Sequence, residues 1–308
     1  MPKVDADNLL KRFGRYLKLE RGLSTNTVEG YQCDVEKLVD FIQTENLDWS
    51  QVTGDDLHRF VCTLQDLGIG ARSQARIISG IKSFFGFLKL EKLIENDPSE
   101  LIENPKLGVK LPDVLTVYEV DRMVESFDLS QPEDRRNRAI IETLYGCGLR
   151  VSELVGLRIS DLYLTDGYII VEGKGEKRRL VPISQNAIRE INLYLEDRRE
   201  LDIKRGSEDI LFLNRRGAKL TRVMVYYIVK RACERCGIRK QVSPHTLRHT
   251  FATHLLEGGA NLRAIQQMLG HESITTTEIY THLDRQFLRQ EILQYHPRNQ
   301  RKAPNKGG

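Results

Sequence analysis

Between Asn96 and Leu115 the chain reads NDPSELIENPKLGVKLPDVL, with prolines at 98, 105 and 112. A proline ring fixes its own φ, lacks an amide proton and pushes the preceding residue toward extended backbone, so no regular helix runs through this stretch. The segment reads as a linker that divides the chain into a shorter first part and a longer second part. Each part then needs a core of its own. At 308 residues and 40% hydrophobic, the chain carries the apolar material for two.

The first part reads as helical. Val28, Tyr31, Val35, Leu38, Val39 and Ile42 recur at spacings of three and four, as do Ile77, Ile78, Ile81, Phe84, Phe85 and Leu88. Turn signals at TENLDW and LGIGARS separate about four such segments, and the lone Trp49 is assigned to packing against a helix. In the second part Thr116 and Glu119 of TVYE form a capping-box signature that opens a new helix. Short strands follow around GYIIVEG and RRLVPIS, with GKGEK as the turn between them. Helices resume at Gln185 and continue through VMVYYIVKRACERCG, SPHTLRHTFATHLL and LRAIQQMLG. The expectation is a mainly α chain with a small β-sheet: a helical domain over 1–105, a mixed domain over 106–296 and a disordered polar tail over 297–308.

Composition narrows the function classes. No apolar run approaches the length of a membrane span, and the start MPKVDADNLLKRF lacks the apolar stretch and small-residue cleavage site of a signal peptide, so a cytoplasmic protein is expected. The five cysteines have no framework-like spacing. Cys233 and Cys236 stand as a CxxC pair, but no second pair or His–Cys set completes a zinc site, and two thiols on a helix is the simpler reading. The net charge of +4 is small, yet its distribution is uneven: from Arg215 to Arg248 there are ten Lys or Arg against one acid, Glu234. Such an excess suits a polyanion, and a solvated basic helix face would look the same.

Four motifs carry chemistry. In SPHTLRHTFATHLL, Pro244 can open a helix, which sets His245 and Arg248 one turn apart near the positive end of its dipole. Such a pair attracts an anion, although a capping histidine beside surface charges would share the pattern. In YGCGLRVSEL, Arg150 leads into an apolar helix and needs a carboxylate or a phosphate; Glu153 could orient it for the second or satisfy it as a plain ion pair. In VEGKGEKRRLVP, glycines flank Lys174 in a turn without P-loop spacing, so a solvated hairpin lysine is the alternative. In LGHESITTTEIYTHL, Gly270 ends a helix, His271 follows, and Tyr280 sits among polar residues.

Together these give two arginines, two histidines, a lysine and a tyrosine, with no acid pair and no metal cluster. Guanidinium groups can clamp a phosphodiester and neutralise charge that develops on its oxygens. A tyrosine hydroxyl can attack phosphorus to give a covalent phosphotyrosine, and a lysine can protonate the leaving oxygen. The motifs GLRVSEL, GKGEKRRLVP and SPHTLRHTFATHLLEGGANLRAIQQMLGHESITTTEIYTHL, with the helical start RGLSTNTVEGYQCDV, resemble the tyrosine recombinase (phage integrase) family, and within it the Xer type, over nearly the whole chain.

The resemblance implies an N-terminal helical core-binding (SAM-like) domain and a mixed α/β catalytic domain that close around duplex DNA. It implies Arg150 as the first catalytic arginine, buttressed by Glu153, Lys174 as general acid, His245 with Arg248 as the HxxR pair, His271 as the second histidine and Tyr280 as nucleophile. His249, Tyr226 and Tyr227 are extra candidates, assigned to packing or to the DNA backbone. No metal or other cofactor is implied. The expected partners are a double-stranded recombination site, a homotetramer or a heterotetramer with a paralogous recombinase, and a DNA translocase that activates it in the nucleoid-associated cytoplasm. Chromosome dimer resolution through a Holliday junction is the expected task. An integrase of a mobile element would share every catalytic residue, and a catalytically silent DNA-binding protein would share the fold. The segment DRQFLRQEILQYH, residues 284–296, reads as an amphipathic helix that either packs on its own domain or, as the resemblance implies, docks on a neighbouring protomer.

Overall fold

In a computed structural model that describes residues 6–45, 47–48, 51–105, 113–173, 177–270 and 282–300, the chain divides into Met1–Lys110 and Leu111–Gly308. The break lies a little beyond the boundary expected at 105. Trp49 is outside the described residues.

The first unit is built of α1 (Ala6–Leu19), α2 (Thr25–Thr44), α3 (Gly54–Asp66) and α4 (Ala71–Leu90). Their starts are set by side-chain caps: the Ser24 hydroxyl accepts from the Thr27 amide, and Thr53 and Asp56 close a reciprocal capping box. The apolar positions read from the periodicity turn inward. Val35, Leu38, Ile78, Ile81 and Phe85 are buried with Phe13, whose ring meets Phe84 edge-on at 5.2 Å.

The second unit starts with α5 (Val117–Glu125), where the Thr116 amide donates to Glu119 Oε2 at 2.7 Å and the Glu119 amide donates to Thr116 Oγ1 at 3.1 Å. Helix α6 (Pro132–Cys147) ends at Gly148, and α7 (Val151–Gly156) follows. Three antiparallel strands come next: β1 (Leu162–Tyr163), β2 (Tyr168–Glu172) and β3 (Arg178–Pro182), paired in chain order with Leu162 opposite Ile169 and Ile170 opposite Leu180. Strand β1 was not legible because two residues carry no alternation; Tyr163 extends it by stacking on Tyr168 at 4.7 Å. Helix α8 (Gln185–Arg199) begins where Ser184 caps it, and α9 (Arg222–Arg235), α10 (Pro244–Gly258) and α11 (Leu262–Leu269) complete the helical layer. One core joins Leu144, Leu154, Val181, Phe212, Val229, Leu247 and Phe251.

The architecture is thus mainly helical with one small sheet. No helix among the described residues is long and apolar enough to cross a membrane. Cys233 and Cys236 lie buried on α9; burial raises the Cys233 thiol to about 12, and Cys236 Sγ donates to the Ala232 carbonyl at 3.0 Å.

The chain's C-terminal part departs from one expectation, the polar tail placed from residue 297 onward. Helix α12 (His282–Tyr295) packs on its own unit in this single chain, with Leu288 and Ile292 in the same core as Phe251. Residues 297–300, read as part of a polar tail, form α13 (Pro297–Gln300). Arg298 on it is buried, where its Nε donates to Glu142 at 3.0 Å, it pairs with Asp121, and it lies 5.3 Å from the centre of the Tyr145 ring. Composition concealed this anchor because its partners lie on α5 and α6, far away in sequence. His296, wholly buried, packs on Tyr145 at 4.8 Å and Phe251 at 5.4 Å.

Arg298→Ala should lower the stability of the second unit by about 3–5 kcal/mol, because it strips two buried carboxylates of this partner. Urea unfolding measures it, and an unchanged midpoint would show that α13 anchors nothing. His296 supplies a pH dependence of known sign. Burial first, then the charge of Arg298, lower its pKa from 6.5 to about 3. The unfolded chain therefore binds the proton more tightly, and the stability is fully present above about 6.5 and lost as pH falls from there toward about 3. The urea midpoint should drop between pH 7 and pH 5, and His296→Phe should flatten that slope.

Candidate active site

The turn from α6 into α7 brings the first arginine into place. Gly148 has φ +62°, and a Cβ there would come within 2.4 Å of the Phe251 ring, so glycine is required by conformation and by space. Two residues later Arg150 is the N-cap of α7, and its amide donates to Glu153 Oε2 at 2.8 Å, one half of a capping box. The Arg150 guanidinium returns to the same carboxylate, with Nη1 2.9 Å from Oε1. Its side chain is 42% exposed.

Glu153 is buried, and two more guanidinium groups meet it there. Arg179 of β3 donates through both Nη atoms, at 2.7 Å to Oε1 and 2.9 Å to Oε2. Arg248 of α10 lies 3.8 Å from Oε2. Burial alone would raise the Glu153 carboxyl, but the hydrogen bonds and charge of Arg179, with those of Arg150, outweigh it and hold the group below the ordinary carboxylate value. Burial, then the charge of Arg150, lower Arg248 to about 10, so it remains a cation at neutral pH.

The three arginines share a second target. Arg179 Nε donates to the carbonyl of Met268 at 2.9 Å, Arg248 Nη2 donates to that of Leu269, and Arg150 Nη2 donates to that of Gly270 at 3.1 Å. These are successive carbonyls at the end of α11, where the helix dipole is negative. Gly270 has φ +64°, and a Cβ on it would press on Arg179 at 3.0 Å, which accounts for the glycine ahead of His271. Arg248 is fixed further by a bond from Nη1 to the Gly148 carbonyl at 2.8 Å.

Helix α10 starts as the sequence suggested. Ser243 is its N-cap and Pro244 its first residue, with His245 exposed and Arg248 buried one turn on. Of the sequence-derived site residues, Arg150, Glu153 and Arg248 are brought into direct association and His245 lies on the outer face of the helix that carries Arg248. Lys174, His271 and Tyr280 lie outside the described residues. Tyr226 and Tyr227 form an exposed edge-on pair on α9, with ring centres 5.8 Å apart. Arg179 is the residue the sequence reasoning passed over. Its signal was present: consecutive arginines in a strand point to opposite faces, so one of Arg178 and Arg179 had to turn inward and find an acid.

Three guanidinium cations around one carboxylate leave an excess of two positive charges, as a site for a phosphodiester needs. Residues 113–286 match the phage integrase family, and residues 10–92 match the phage integrase N-terminal SAM-like domain. The chain belongs to the phage integrase family. Tyrosine recombinase XerD of Proteus mirabilis is 42% identical over 96% of this chain and 94% of its own length. That of Chlorobaculum tepidum is also 42% identical, over 94% and 96%. The structure of the XerH site-specific recombinase bound to difH substrate in a pre-cleavage complex is similar at 25% identity and a TM-score of 0.70, over 92% of this chain and 95% of that one. The chain is accordingly a tyrosine recombinase, an enzyme that cleaves and rejoins DNA strands.

Glu153→Gln keeps the shape and removes the charge that holds three guanidinium groups together. Single-turnover cleavage of a recombination site should fall by at least about tenfold, the size of one lost charge-assisted hydrogen bond, while duplex binding changes little. An unaltered cleavage rate would mean that the carboxylate is dispensable for aiming the arginines.

Proposed function

We propose that this chain is a site-specific recombinase acting on a double-stranded DNA site through a 3′-phosphotyrosyl intermediate. The observation that carries this reading is the buried Glu153 carboxylate with Arg150, Arg179 and Arg248 around it. In the reaction Arg150 and Arg248 hold the two non-bridging oxygens of the scissile phosphate, and His245 holds an oxygen or accepts the tyrosine proton. His271 adds a further donor. The Tyr280 oxygen forms a bond to phosphorus, the bond from phosphorus to the 5′ oxygen breaks, and Lys174 gives that oxygen a proton. The phosphodiester count is unchanged, so the reverse attack by a 5′ hydroxyl rejoins a strand without an external energy source. No step requires a metal.

The biological setting follows the relatives. Four protomers, of this chain alone or with a paralogous recombinase, pair two sites and exchange strands through a Holliday junction. The task is resolution of chromosome dimers at cell division, in the cytoplasm at the nucleoid, with a DNA translocase as activator. Recombinases named XerD match along nearly the full chain, which favours this over integration of a mobile element.

The test is covalent trapping on a nicked suicide site. The wild-type chain should form a protein–DNA adduct, and Tyr280→Phe should bind the site equally well and form none. An adduct recovered from the Phe variant would move the nucleophile to another tyrosine, and absence of an adduct from the wild type would favour a silent DNA-binding protein.

A further inference from the structure

We infer that Arg179 is a positioning residue of the phosphate clamp, acting through Glu153 and through the end of α11; the inference rests on the recombinase reading above. Arg179 has little freedom to do anything else. It is buried, and all three of its nitrogens are committed: Nη1 and Nη2 to the two oxygens of Glu153, Nε to the Met268 carbonyl. This is the bidentate fork that fixes a carboxylate in orientation as well as in charge.

The direction in which Glu153 is fixed decides where the exposed arginine points. Glu153 Oε1 receives Arg179 Nη1 on one side and Arg150 Nη1 on the other, while Oε2 receives Arg179 Nη2 and the Arg150 amide. A carboxylate held by Arg150 alone could rotate with it, because both lie on the same short helix α7. The fork from β3 removes that rotation. The third bond of Arg179 ties α11 to the same fork, and Arg248 and Arg150 hold the next two carbonyls of that helix.

Arg179 also sits under the base of the β2–β3 connection. The Gly173 amide donates to the Lys177 carbonyl at 2.8 Å, and a Cβ on Gly173 would lie 3.7 Å from Arg179 Nη1 and 4.0 Å from Glu153 Oε1. The ends of the sequence that carries Lys174 are therefore held against the same ion cluster. An aliphatic residue at 179 would leave Glu153 shared between Arg150 and Arg248, and lysine would keep the charge while giving up the fork.

The experiment measures single-turnover cleavage of suicide sites by the full chain, with an ordinary scissile phosphodiester and with a methylphosphonate in its place. A methylphosphonate lacks one anionic oxygen and needs less positive charge from the clamp. On the phosphodiester, Arg179→Met should be about ten- to a hundredfold slower than wild type, with Arg179→Lys nearer to Met than to wild type. On the methylphosphonate the ratio of wild type to variant should shrink severalfold. Equal ratios on both substrates would overturn the inference and leave Arg179 a residue of general packing, as would a wild-type rate on the phosphodiester. Arg179→Lys, which retains the buried charge, provides the measurement if the Met variant fails to fold. The wild-type adduct on the phosphodiester separates the two claims: its absence defeats the recombinase reading, and its presence with equal ratios defeats only this one.

Discussion

The Glu153 carboxylate is the interaction that ties four elements of the second unit together. Taking one carboxylate and two guanidinium groups out of water costs several kcal/mol for each ion, and only dense mutual pairing offsets it. The offset here is a four-way contact: Arg150 from the start of α7, Arg179 from β3, Arg248 from α10, and behind them the carbonyl end of α11. Four elements far apart in sequence are thereby held in one register. Gly148 and Gly270 permit the approach, since each takes a left-handed backbone conformation where a side chain would strike Phe251 or Arg179.

The same cluster explains how an arginine-rich site can be built before its ligand arrives. Like charges repel, and three guanidinium groups around one carboxylate remain net positive. The excess is spread over three carbonyls at the negative end of α11, which receive one arginine each. Arg179 and Arg248 are buried, while Arg150 keeps much of its surface open to solvent. Orientation of the donors is thus settled during folding, and binding an anion need not pay to organise them.

Much of this was legible in the chain. The helix starts at Thr116 and Pro244 followed from a capping box and a proline, and the helical period of residues 28–42 and 77–88 marked the first core. The pairing of Arg150 with Glu153 was readable because it is local, a spacing of three at a helix start. What could not be read was non-local. The partner of Glu153 on β3 lies 26 residues on, and the carbonyls at the end of α11 have no side-chain signature at all. The spacing of His245 and Arg248 was local and readable, but not that His245 is exposed while Arg248, one turn on, is buried in the core. Residues 297–300 looked like a tail because composition alone does not show that Arg298 meets two acids on α5 and α6.

The C-terminal anchor bears on how such a chain could exchange its end with a neighbour. His271 and Tyr280 fall in the sequence between two fixed points, the arginine-capped end of α11 and the helix α12. Helix α12 holds to its own unit through apolar side chains, chiefly Leu288 and Ile292, worth a few kcal/mol, and through Glu291, which accepts from the Asn261 amide at 2.7 Å; a similar surface on another protomer could replace both. Helix α13 holds by different physics: Arg298 sits between Asp121 and Glu142, and withdrawing it would leave buried carboxylates without it at about 3–5 kcal/mol. Handing over α12 together with α13 would have to supply an equivalent pair of acids in the receiving protomer, and an identical chain has them only while its own Arg298 is gone as well. Any exchange of α12 with α13 between identical chains would therefore have to be closed, by a reciprocal swap or around a ring, so that each Asp121–Glu142 site vacated by one Arg298 receives another.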